Sequence, residues 1–120
     1  MAKGTLTIQV RAGAMMSMEA NTALKLARAA LATGYDVKIF GYGEGVTCIK
    51  NGMGPKRFPN VGNELGELAA KGVAVTVCET CSTARGLRKG EEVPGTRIGT
   101  LTKDLSEYVA ASDRLVTLAR

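Results

Sequence analysis

Val73-Ala-Val-Thr-Val77 carries no charge and has no polar side to turn toward water. A strand of this kind must be covered on both faces, which is the position of a central strand in a parallel sheet with helices above and below it. The amino-terminal third points the same way. Thr5 to Val10 alternates Leu6, Ile8 and Val10 with Thr5, Thr7 and Gln9, the period of a strand. From about Ser17 to Thr33, Ala20, Ala23, Leu24, Ala27, Ala30 and Leu31 recur at helical spacing with Lys25 and Arg28 opposite, and Gly34 stands where the helix should stop. Asp36 to Tyr42 carries Val37, Ile39 and Phe40 and supplies the next strand. Strand, helix and strand at this spacing form a parallel crossover unit.

The remainder extends the pattern. Gly43 to Asn60 is rich in glycine, holds Pro55 and Pro59, lacks apolar periodicity, and is expected to be the longest loop, mobile and close to a site. Asn63 is placed to cap a helix bearing Leu65, Leu68 and Ala69, with Lys71 late and Gly72 as its stop. A short helix is expected to begin near Thr80 to Ser82 and to stop by Gly90. Pro94 and Gly95 then lead to a brief edge strand, and Leu101, Leu105, Tyr108 and Val109 share one helical face before a terminal strand over Arg114 to Leu118. Met15, Met16 and Met18 are expected at a loop or subunit contact. The expectation is one α/β domain over residues 1–120, a three-layer α/β/α sandwich with strands near 5–10, 36–42, 73–78, 96–99 and 114–118.

Composition removes several function classes. Arg11, Lys25, Arg28, Asp36 and Lys38 interrupt the first third, so no membrane span forms, and the apolar stretch after Lys3 alternates with polar residues and ends at Arg11, unlike a secretory signal. A cytoplasmic protein is expected. Sixteen Lys and Arg against eleven Asp and Glu give a net charge of +5, but the basic residues are scattered and only five aromatic side chains are present, so direct nucleic-acid binding is not expected. The chain has no histidine, which removes histidine-based triads and imidazole acid–base chemistry. It has three cysteines, an odd number that suits free thiols better than a disulfide framework.

Chemistry concentrates in Val77-Cys78-Glu79-Thr80-Cys81-Ser82-Thr83-Ala84-Arg85-Gly86, where the buried strand runs into a helix. In an open parallel sheet, sites form at the carboxyl ends of strands. The amide groups of the following helix, and Arg85 if it folds back, would favour thiolate over thiol at Cys78 or Cys81. A thiolate is the nucleophile that attacks disulfides and sulfane sulfur. Free cysteine also often does no more than fill space at a strand end, and Cys48 is read in that structural way. Zinc fits poorly, because Cys48 is the one other soft ligand, so no metal site is expected. Gly41-Tyr-Gly-Glu-Gly45 lacks the glycine spacing of a dinucleotide fingerprint and is read as a turn off the sheet.

These residues carry a resemblance. The run from Val77 and Cys78 to Arg85-Gly86-Leu87, the preceding Gly72-Val73, the Phe40 to Val46 segment, Ile98-Gly99-Thr100-Leu101 and Ser112-Asp113-Arg114-Leu115-Val116 resemble DsrE/DsrF-type sulfur-relay proteins, the group that includes the TusD subunit. The resemblance covers nearly the whole chain. It implies a five-stranded parallel sheet ordered 4-3-2-1-5, subunits assembled as trimers or hexamers, and a sulfurtransferase-like carrier that holds sulfur as a persulfide. By position, the active cysteine corresponds to Cys78, with Arg85 stabilising its anion, no bound cofactor, and sulfur donor and acceptor proteins as partners. Cys81 departs from the plain pattern. Two other readings stay open: a C-x-x-C thiol-disulfide oxidoreductase, and a non-catalytic homo-oligomeric interaction module with structural cysteines.

Overall fold

The computed structural model describes residues 2–15 and 17–119. Five strands, β1 (Thr5–Val10), β2 (Asp36–Gly41), β3 (Ala74–Cys78), β4 (Arg97–Gly99) and β5 (Arg114–Leu118), pair in parallel throughout in the order β4-β3-β2-β1-β5. Both the parallel sheet and its order agree with expectation. Helices α1 (Glu19–Ala32) and α2 (Val61–Ala70) pack on each other and against β1, β2 and β3, while α4 (Ser106–Ala111) lies on the opposite face. A six-residue helix, α3 (Glu79–Ala84), leaves the end of β3. No helix among the described residues is long and apolar enough to cross a membrane.

The strand alternation decides which residues meet which layer. Ile8, Ile39, Val75 and Val77 face α1 and α2, where Ala20, Ala23, Leu24, Ala27, Leu65 and Leu68 complete a dry core. Small residues on α1 let the helix come close to the sheet. Burying a side chain such as Ile8 or Leu68, at 0% and 1% exposure, stabilises the fold by about 1.5–3 kcal/mol each. The opposite face is more polar. Phe40 is fully buried there beneath the Tyr108 ring, Tyr108 Oη and Thr76 Oγ1 lie 2.6 Å apart, and Thr7 Oγ1 bonds Ser112 Oγ. Each buried hydroxyl therefore has a partner, as a low-dielectric interior demands.

Three local expectations are corrected. The cap of α2 is Asn60, whose Oδ1 accepts from the Asn63 N–H at 3.0 Å while its Nδ2 donates to the Met53 carbonyl at 2.9 Å. Both asparagines satisfy the sequence rule, and the loop contact selects the earlier one. Gly43–Ile49 is a wound 3₁₀ segment with Val46, Cys48 and Ile49 buried, so the first half of the expected mobile loop belongs to the core. Its end is pinned by Val93 N–H to the Ile49 carbonyl and Asn51 N–H to the Glu91 carbonyl, both at 2.8 Å. The fourth helix opens with a π turn over Leu101–Leu105, which widens the first turn and shifts the phase, so Val109 emerges 41% exposed while Asp104 is buried.

Asp104 fixes that π turn. Its carboxylate accepts from the Thr100 N–H at 2.7 Å and pairs with the Arg97 guanidinium. Burial alone would push its carboxyl up, but the Thr100 N–H and Arg97 outweigh burial and hold it below the ordinary carboxylate range. Met15 and Met18 are exposed, at 53% and 60%, and Met16 lies outside the described residues.

Gly45 joins the sheet to the 3₁₀ segment. A Cβ there would overlap the Val10 carbonyl oxygen, a backbone atom that cannot move without tearing β1 from Tyr42, whose N–H bonds that same oxygen at 2.9 Å. Gly45→Ala should therefore cost about 2 kcal/mol or more in urea denaturation. Gly54→Ala, with open space around the added methyl, should stay within about 0.5 kcal/mol of the parent. Equal midpoints for the two variants would contradict this packing.

Candidate functional site

Parallel pairing brings the carboxyl ends of the strands to one edge: Val10 lies beside Gly41, Gly41 beside Val77, and Cys78 beside Gly99. The segments that leave this edge enclose a pocket of about 350 Å³ lined by Tyr42, Cys78, Glu79, Cys81, Thr100 and Leu101, among others. Both cysteines singled out in the sequence line it. Cys78 ends β3 and is 4% exposed, whereas Cys81 in α3 is half-buried. The junction between them is held by Ser82, whose fully buried hydroxyl donates to the Cys78 carbonyl at 2.7 Å, and whose own carbonyl accepts from Leu87 N–H at 2.9 Å.

Cys78 and Cys81 line the same pocket, three residues apart across the junction of β3 and α3. Burial raises the Cys81 thiol above its ordinary value; the Gly43 N–H and the Arg85 charge act against this, and the Cys78 sulfur reinforces it. Arg85 turns back over α3, but onto the chain. Its Nη1 donates to the Cys81 carbonyl oxygen at 3.0 Å, and its Nε and Nη2 reach Glu44 Oε1 at 2.8 and 2.7 Å. Helix α3 has only six residues, with Glu79 in its first turn, so its dipole offers a nearby anion little. The directed N–H at Cys81 comes instead from Gly43, at the start of the 3₁₀ segment.

Cys48 belongs elsewhere. It is 3% exposed, donates to the Ala12 carbonyl at 3.5 Å, and burial pushes its thiol up to about 12. A thiol in that condition stays protonated and fills core volume. Among the described residues, no group of three or more Cys, Asp or Glu side chains is arranged to hold a metal ion. The glycines of Gly41-Tyr-Gly-Glu-Gly45 serve close packing: a Cβ on Gly41 would sit 2.8 Å from Val77 and 2.9 Å from the Gly45 carbonyl.

Sequence reasoning missed the partners that complete the pocket. Tyr42 and Thr100 to Thr102 line the pocket and Glu44 pairs with Arg85 beside it; all lie far along the chain from Cys78 and join it through the sheet. Their signals were that Tyr42 follows directly on a strand end and that the Phe40 to Val46 and Ile98 to Leu101 segments carried the resemblance.

Known proteins corroborate the architecture. An uncharacterized protein of Methanopyrus kandleri, MK0008, is 37% identical over 97 residues, covering 81% of this chain and 79% of that protein. YchN of Escherichia coli is 30% identical over 82 residues, covering 68% of this chain and 69% of its own. The crystal structure of the E. coli protein superposes with a TM-score of 0.88 at 27% identity, over 95% of this chain and 98% of that one. A protein of unknown function from Methanobacterium thermoautotrophicum shares the fold at a TM-score of 0.76 and 12% identity, over 96% and 99% of the two chains. Residues 5–118, from the first strand to the last, match the DsrE/DsrF-like family, and the chain belongs to it.

Proposed function

We propose that this protein is a sulfur-relay carrier in which Cys78 accepts sulfane sulfur from a donor persulfide and passes it to a partner thiol. The observation that carries this reading is the pair of cysteines lining one pocket at the carboxyl edge of a parallel sheet. Family membership supports it, since DsrE/DsrF-type proteins are associated with sulfur relay. Free thiols suit a reducing, cytoplasmic setting.

Loading is an exchange between thiolate and persulfide. The Cys78 thiolate attacks the outer sulfur of the donor, a new S–S bond forms on Cys78 as the donor's S–S bond breaks, and the donor thiolate leaves with the electron pair. Unloading repeats the step toward the acceptor and returns Cys78 as a thiolate. There is no net oxidation, and the chemistry calls for no bound cofactor. Because Cys78 is reached through the pocket, the donor must present its sulfur on a slim arm. Arg85, near the rim, supplies positive charge for the loaded anion.

Cys81 gives the loaded sulfur a second exit. Its thiolate can attack the inner sulfur of the Cys78 persulfide, which forms a Cys78–Cys81 disulfide and expels hydrosulfide; a cellular thiol then reduces the pair. The same pair of cysteines in one pocket favours, as a second reading, a thiol-disulfide oxidoreductase that cycles the pair without carrying sulfur.

Mass spectrometry after incubation with a small persulfide donor distinguishes these readings. Cys78→Ser should abolish loading, whereas Cys81→Ser should keep it and lengthen the lifetime of the persulfide several-fold. A disulfide with no sulfur ever added supports redox cycling, and unreactive thiols point to an interaction module. Loading that survives loss of Cys78 and vanishes with loss of Cys81 overturns the assignment. The carrier is further proposed to work as a homo-oligomer, with Met15 and Met18 among the exposed apolar residues available to a contact. Light scattering at micromolar concentration should report a trimer or hexamer, and a monomer there would contradict the assembly.

A further inference from the structure

Arg85 is the cation whose field favours the anionic form of Cys81, yet none of its directed hydrogen bonds goes to a sulfur. Its Nε–H donates to Glu44 Oε1 at 2.8 Å, its Nη2 stands 2.7 Å from the same oxygen in the ion pair, and its Nη1 donates to the Cys81 carbonyl oxygen. Glu44 lies one residue beyond Gly43, the residue whose N–H meets Cys81, so a single turn of the 3₁₀ segment touches α3 at both the thiol and the guanidinium.

The other charges around the pocket are committed to different partners. Glu79 on α3 pairs with Lys89 at 3.1 Å. Tyr42, between β2 and the 3₁₀ segment, carries the Arg11 guanidinium 5.7 Å from its ring centre. Asp104 in the π turn is held by Arg97 and Thr100. That leaves the Glu44–Arg85 pair as the charged unit most directly coupled to the cysteines.

We infer that Glu44 is a positioning residue that holds Arg85 back from the Cys78–Cys81 pair, so that an anion formed in the pocket must compete with its carboxylate for the guanidinium. The inference rests on the proposal that this pair is the reacting centre, and adds to it the residue that sets how strongly the pocket stabilises an anionic sulfur. Removing the Glu44 charge frees the guanidinium and makes Cys81 more acidic. Removing Arg85 takes away the cation, makes Cys81 less acidic, and leaves Glu44 nothing to act through. Both side chains are partly exposed, 30% for Arg85 and 47% for Glu44, so solvent screens the effect and keeps it modest.

The test is alkylation of the full chain by iodoacetamide across pH, with modification of Cys81 resolved by mass spectrometry. Glu44→Gln should lower the pH midpoint at Cys81 by about half a unit. Arg85→Gln should raise it, and the double variant should match Arg85→Gln alone, as expected of a residue acting through another. Glu44→Asp keeps the charge and should leave the midpoint near that of the parent. A midpoint unmoved or raised by Glu44→Gln, an equal lowering with and without Arg85, or an Asp variant that behaves like Gln would each overturn the inference. Alkylation needs no sulfur donor, so failure of persulfide loading and failure of this inference are read separately.

Discussion

Parallel pairing of β3 between β2 and β4 is the constraint on which the site depends. A strand with both faces covered is flanked by parallel neighbours that end at the same edge, so Cys78 emerges beside Gly99, one residue past the Val77–Gly41 pair. The segments that follow then have one place to go. The 3₁₀ segment after β2, α3 after β3 and the π turn after β4 meet around a single pocket, and each is fastened by a different device. The first is fastened by the contact of Gly45 with Val10, the second by the Ser82 hydroxyl on the Cys78 carbonyl, and the third by Asp104 between Arg97 and Thr100. A thiol held this way has little freedom to move, and reactivity at Cys78 depends on what can enter.

Charge in the pocket is arranged economically. Cys81 sits where burial works against its anion, and the groups acting the other way are one backbone N–H and one guanidinium already engaged by Glu44. This arrangement keeps a resting thiol protonated more readily than a strongly activated one would be.

The sheet was legible because its signals are local and mutually consistent. Leu6, Ile8 and Val10 alternate, α1 places its alanines at helical spacing, and Gly34 and Gly72 adopt the positive φ expected just past a helix. Cys78 at the end of β3 and Cys81 within α3 were legible for the same reason. The strand order was carried by family resemblance, since hydrophobic periodicity does not say which side of β1 receives β5. What could not be read came from contacts between distant segments. Glu44 and Arg85 stand 41 positions apart in the chain and meet only through the sheet, and no local pattern reports their ion pair. The π turn hides in a sequence that reads as one regular helix until Asp104 is seen bonding Thr100, and the choice of Asn60 over Asn63 turns on a carbonyl from Met53.

The central claim is that Cys78 is the atom on which sulfur is carried, inside the pocket that the three strand ends build. A crystal structure of the Cys81→Ser variant soaked with inorganic polysulfide tests it most directly, because the variant cannot resolve a persulfide into a disulfide. The account predicts one additional sulfur bonded to Cys78 Sγ and directed into the space bounded by Tyr42 and Thr100. Additional sulfur on Cys48 with Cys78 unmodified, or no covalent sulfur at either thiol, would contradict it.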